Sequence, residues 1–189
     1  MRRLTIPPSL SLPSPRPLTS RASTALALAL FVLLAFPPRF APAATVTESS
    51  LPPSQDDAPI LSVHHDGQRY PVSRAEIESL GLHEVSLLHF EGLEGRFAGV
   101  WLDEFLAAQE LDDAPRLRFI AHDDYSVFLT PENRADKRYL LATRLDGEPL
   151  TRETFGPTLL IVPEDAEAVA EGSETMTRWI WSIREIHAR

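Results

Sequence analysis

Hydrophobic positions divide this chain into one unbroken apolar run near its start and, much later, a series of short segments that alternate or repeat at helical spacing. The run, Ala22-Ser23-Thr24-Ala25-Leu26-Ala27-Leu28-Ala29-Leu30-Phe31-Val32-Leu33-Leu34-Ala35-Phe36, holds 15 residues and no charge. That is short for a bilayer span. Arg2, Arg3, Arg16 and Arg21 precede it and Ala41-Pro42-Ala43 follows, which is the order of a secretory signal peptide. Residues 1–43 are therefore expected to be a signal peptide cleaved after Ala43, with the remainder periplasmic or secreted. Residues 44–58, rich in Ser, Pro and Asp, have few aliphatic positions and predict a disordered leader.

From residue 59 the alternation begins, and 59–189 reads as one domain. Ile60-Leu61-Ser62-Val63 and Arg69-Tyr70-Pro71-Val72 flank Asp66-Gly67, a hairpin signature. Ser73 with Glu76 three residues on forms a capping box, Ile77 and Leu80 supply an apolar stripe, and Gly81 ends the helix. A strand is expected over 84–90, and Gly92, Gly95 and Gly99 read as turns. Leu102, Phe105 and Leu106 at i, i+3 and i+4 mark a second helix. Further strands are expected over 117–121, 125–129, 139–143 and 159–162, the last buried on both sides because it is continuously apolar. A final strand over 179–186 would place Trp179, Trp181 and Ile183 on one face, with Arg184 breaking the count. Many short strands with a few short helices define the α+β class.

Charge narrows the partners. The five arginines of residues 1–43 stand without any acid, so their removal moves the net charge from −9 to −14. A chain this acidic has no broad face for a phosphate backbone, and no nucleic acid is expected as a partner. No cysteine occurs. Disulfides, zinc-thiolate sites, iron–sulfur clusters and any thiolate-ligated metal are thereby excluded.

Five segments, in order, carry a resemblance: Phe97-Ala98-Gly99-Val100 leading to Leu102 and Leu106; Ala121-His122-Asp123-Asp124-Tyr125; residues 141–150 from Leu141 to Leu150; Gly156-Pro157 leading to Pro163; and Arg178-Trp179-Ile180-Trp181. In this order they resemble the molybdopterin-binding domain of the sulfite oxidase family, specifically its small exported stand-alone members. The resemblance implies a sulfite-oxidase-like fold of mixed sheets and a pocket for a pterin. Enzymes of that family hold molybdenum through one cysteine thiolate, so this chain is expected to carry no molybdenum and no catalytic residue. Small cysteine-free relatives imply a different role: an exported pterin-binding protein that signals through the periplasmic domain of a membrane diguanylate cyclase or phosphodiesterase, or of a histidine kinase, controlling cyclic-di-GMP turnover. An interaction protein with an occluded pocket is the alternative, and a molybdopterin oxidoreductase without its cysteine ligand ranks below both. Phe155 stands where the family often has a lysine, and Phe90 where it often has a tryptophan, making the pocket less polar or smaller.

A pterin is flat, with donors and acceptors along two edges, so its site needs aromatic faces and a few fixed polar groups. Trp181 and Tyr125, with Trp179 as a more exposed wall, are candidates for the first. Arg178, Asp124 and Arg144 are candidates for the second. Each has a plainer reading: Trp181 as a core residue, Arg144 as a surface ion pair with Asp146 or Glu148, Asp124 as a residue shaping its own turn. The histidines show no helical pair and no zinc-protease spacing, so no metal site is expected. No serine-hydrolase elbow or carboxylate dyad is evident.

Overall fold

In the computed structural model, which describes residues 44–189, the first described element is a short strand, β1 (Val46–Glu48), paired antiparallel to β4 (His83–Leu88). The expected signal peptide lies outside the described residues. The disordered leader expected over 44–58 is corrected here. Val46 pairs with Val85, the Ser54 amide donates to Glu78 Oε2 at 2.7 Å, and Asp56 holds Arg74 at 2.8 Å. Polar composition favours disorder only when the backbone lacks partners, and this segment finds them in Arg74, Glu78 and β4. Limited proteolysis of the native protein is therefore expected to leave 46–56 attached and intact; rapid trimming back to residue 59 would contradict the docked strand.

The Asp66-Gly67 turn, with both residues at positive φ (50° and 73°), joins β2 (Pro59–His65) to β3 (Gln68–Ser73). Ser73 then caps α1 (Arg74–Glu78) with the complete capping box, its hydroxyl accepting from the Glu76 amide while the Glu76 carboxylate accepts from the Ser73 amide. β4 leads into β5 (Glu94–Trp101), α2 (Leu102–Ala108), β6 (Leu117–Ala121), β7 (Ser126–Leu129) and α3 (Pro131–Asp136). β8 (Leu140–Leu145), β9 (Glu148–Pro149), β10 (Leu159–Ile161), α4 (Ala166–Ala170) and β11 (Ile183–Ala188) complete the domain, with two short 3-10 turns at Arg152–Thr154 and Pro163–Asp165.

The strands form two sheets. One runs β1-β4-β5-β8-β10 with β9 beside β8; the other runs β3-β2-β11-β6-β7. All pairings are antiparallel except β2 with β11, which brings the last strand parallel to the first of its sheet. The α+β class is thus the observed one, and both sheets contribute to one apolar core that includes Phe97, Phe105, Phe119, Leu141, Leu160 and Ile186. β5 departs from expectation. Gly95 and Gly99 sit within the strand, and a Cβ at Gly99 would collide with the backbone of Leu141 and Ala142 on β8, where the ladder shifts register. Close backbone approach, not turning, explains that glycine.

The expected terminal strand is also shorter. β11 starts at Ile183, and residues 179–182 form an irregular segment ending at Ser182 with φ 50°. A bulge between Ile183 and Glu185 lets both Ile183 and Ile186 face the core, which is why Arg184 interrupts the alternation.

Candidate functional site

Backbone hydrogen bonds, not a strand ladder, place the tryptophan segment. The Leu160 amide of edge strand β10 donates to the Ile180 carbonyl at 2.8 Å, and the Ser182 amide donates to the Phe155 carbonyl at 2.7 Å. Phe155 itself is left-handed, φ 64°, at the end of the Arg152–Thr154 turn. On the other side the His122 amide donates to the Ser182 carbonyl at 2.9 Å, tying the loop between β6 and β7 to the same segment. Within that loop the Asp123 carboxylate accepts from the Tyr125 amide at 3.0 Å and Asp124 takes φ 70°. Asp123, not Asp124, is therefore the side chain that shapes the turn.

These constraints bring Tyr125 and Trp181 face to face. Their rings lie within 17° of parallel with centroids 6.3 Å apart. Tyr125 is 46% exposed and Trp181 half-buried. A flat ring clamped between two others needs about 7 Å between the outer faces, twice a carbon contact distance. The centroids, 6.3 Å apart, are closer than that, so a ring enters only when the exposed tyrosine swings outward.

Beneath the pair lies a cluster in which His89 joins Phe90, Phe155 and Trp179, a place for the histidine that the sequence did not reveal. Phe90 and Phe155 pack on Trp181 at 5.7 and 6.1 Å, and His89 stacks on Phe90 at 4.3 Å while approaching Phe155 and Trp179 at 5.3 and 5.6 Å. Trp179 is only 1% exposed, which corrects its expected place as the more exposed wall. His89 is fully buried, and burial alone pushes its pKa down to about 4. The Glu91 amide donates to its Nδ1 at 3.3 Å, so the neutral ring carries its proton on Nε2. That N–H and the Trp179 indole N–H are both buried without a partner among the described residues. Two such donors are costly for a purely structural core.

The expected polar residues are dispersed. Arg144 is committed elsewhere: its guanidinium makes a two-pronged contact with Glu78, Nε to Oε1 at 2.9 Å and Nη2 to Oε2 at 2.6 Å. Its partner is thus a buried acid from α1, neither Asp146 nor Glu148. Arg178 turns toward Asp136 at 3.4 Å and lines a groove with Asp165, Glu174 and Trp179. Asp124 stays at the loop beside Tyr125, paired with Arg184 at 2.7 Å. The cations that accompany the Tyr125 loop are instead Arg184, whose Nη1 also reaches the His122 carbonyl at 3.4 Å, and Arg152. Burial first, and then the positive charges of Arg152 and Arg184, hold His122 below the usual histidine range. Neither arginine carries a sequence motif; only its placement beside the loop marks it.

Chemically, the arrangement offers two stacking faces, buried donors at His89 and Trp179, and an exposed Asp124–Arg184 pair. It fits the ring of a flat, polar heterocycle. It does not fit molybdenum held as in the enzymes, because the thiolate that would bind the metal has no counterpart in a chain without cysteine. No protein-family model matches the chain, and no curated protein is similar to it.

Proposed function

We propose that this chain is an exported, non-catalytic binding protein of the sulfite-oxidase-like molybdopterin-binding fold, and that its ligand is a pterin or a closely related flat heterocycle. The near-parallel pairing of half-buried Trp181 with exposed Tyr125 carries this reading. The order of the five resembling segments supports the fold, and the missing cysteine supports binding without redox chemistry. In this account Trp181 and Tyr125 stack the ring, while His89 Nε2–H, the Trp179 indole N–H and the Asp124–Arg184 pair meet its edges. A receptor in the membrane that controls cyclic-di-GMP turnover is the partner this reading implies.

Such a site reaches micromolar affinity from ordinary terms. Each stacking contact contributes about 0.5–1.5 kcal/mol beyond area burial and each charge-assisted hydrogen bond about 1.5–3 kcal/mol, against the cost of association. Calorimetry with oxidised and reduced pterins should show saturable binding that Tyr125→Ala and Trp181→Ala weaken, whereas Arg144→Lys and Arg178→Ala leave it nearly unchanged. Affinity lost in the Arg178 variant but kept in the Trp181 variant would displace the site to the groove beside Asp136.

One observation favours a second reading. Phe90 and Phe155 fill the space under Trp181 with the chain's own rings. An interaction protein with an occluded pocket would look like this, and it binds no pterin in the same titration.

A further inference from the structure

On the second sheet, far from any sequence motif, the parallel pairing of β2 with β11 sets His64 directly opposite His187. Side chains of register partners leave the sheet on the same side, and residues two apart on one strand share a face, so Glu185 joins them. Val63 and Ile186 on the opposite side are fully buried in the core, which puts the trio on the outer face. The two imidazoles are stacked, 7° from parallel with centroids 4.1 Å apart. Glu185 Oε2 lies 2.7 Å from His187 Nε2 and 3.8 Å from His64 Nε2. One ligand atom from each residue falls within 4.8 Å of the other two.

Two imidazoles and one carboxylate form a donor set for divalent transition metals of the zinc, nickel and copper group, and a poor one for calcium or magnesium. In a tetrahedral site with bonds of about 2.0–2.1 Å the ligand atoms stand about 3.3 Å apart. The two distances to the carboxylate bracket that value, and side-chain rotations that unstack the two imidazoles and turn both Nε2 atoms toward Glu185 bring all three onto one ion. Among the described residues His64 Nε2 has no hydrogen-bond partner although it is shielded from solvent, and the nearest acceptor, Glu185 Oε2, stands 3.8 Å away. From these residues we infer that His64, Glu185 and His187 form a binding site for a zinc-like divalent cation, with its fourth position open to water or an exogenous ligand.

The neighbours set the strength. Arg69 faces His64 across β3 and Arg118 faces His187 across β6, flanking the trio with positive charge. Each guanidinium is drawn sideways by a serine, Arg69 to Ser62 at 2.9 Å and Arg118 to Ser126 at 3.3 Å, but their charge still opposes a cation. With only Glu185 to compensate, micromolar rather than nanomolar affinity is expected. On binding, His187 is a neutral imidazole with its proton on Nδ1, so that Nε2 and the Glu185 carboxylate both turn from each other to the metal.

Titration of the untagged full chain with zinc chloride tests this directly. One zinc per chain should bind in the micromolar range, with calcium and magnesium inert at the same concentrations. His64→Ala and His187→Ala should each weaken zinc at least about ten-fold. Glu185→Gln should weaken it too, and His122→Ala should not. Because β11 is central to its sheet, the wild type supplies a check that needs no variant: zinc should move the ring nitrogen resonances of His64 and His187 and leave those of His83 and His122 in place. Absence of binding at 100-fold excess, or zinc that shifts other histidines instead, overturns the site.

Discussion

Replacing Glu78 by alanine is expected to cost about 3 kcal/mol of folding stability, a large part of the roughly 5–15 kcal/mol a domain of this kind holds. The carboxylate is completely buried and is satisfied four times over, by the Nε and Nη2 of Arg144, the Thr143 hydroxyl at 2.8 Å and the Ser54 amide. Removing it leaves a largely buried guanidinium without a counter-charge and frees the chain segment before β2 from α1. Arg144 keeps some contact with water, which holds the loss at the lower end of the range for a broken buried pair. Glu78→Gln, which keeps hydrogen-bonding capacity but not charge, should fall between. Urea denaturation measures both, and a loss under 1 kcal/mol for the alanine variant would mean that the pair is not the anchor described here.

Acid should destabilise the domain through His89. In the folded chain its pKa is pushed down to about 4 by burial, against an ordinary value of 6.5. Between those two values the unfolded chain binds the extra proton and the folded chain does not, so stability rises with pH across that window. It is fully present above pH 6.5 and is lost as pH falls toward 4, by about 3 kcal/mol in all. His64 and His122 are also held below the ordinary range, and they add to the slope in the same direction. His89→Phe, which fills the aromatic cluster without a titratable group, should therefore flatten the pH dependence of the urea midpoint between 4 and 6.5 without abolishing it. An unchanged slope would show that His89 titrates normally and is not buried as a neutral ring.

How much of this was legible in the sequence depends on whether the signal was local. The capping box at Ser73 and Glu76 and the Asp66-Gly67 hairpin are settled within a few residues, and both form as the pattern predicts. Gly99 was read as a turn because its reason lies in β8, some forty residues on, where only a missing side chain lets the strands approach. The segment before β2 looked disordered because its partners, Glu78 and Arg74, act through tertiary contact. Alternation placed Trp179 and Trp181 on one face of a strand, but Ser182 and the bulge after Ile183 break that strand, sending one indole inward and the other toward Tyr125.

At the candidate site the fold brings Tyr125 and Trp181 together, while the expected cations Arg144 and Arg178 lie elsewhere. Stacking needs only that two rings be brought together, whereas an arginine goes to whichever acid the fold presents: Arg144 to Glu78, Arg178 to Asp136, Arg184 to Asp124. His64 and His187 were passed over for a similar reason. They stand near opposite ends of the domain's sequence, and only a parallel pairing of its first and last long strands makes them neighbours.

The chain's three tryptophans give the proposed heterocycle site its most direct test. Trp101 is remote in environment, lying under the Arg138 guanidinium at 3.9 Å, while Trp179 and Trp181 belong to the aromatic cluster. In a nitrogen-15 correlation spectrum each indole N–H gives one signal. Titration with a pterin should move the Trp181 and Trp179 signals together along one saturable curve and leave that of Trp101 in place. A spectrum in which no indole moves, or in which only Trp101 does, would contradict the site.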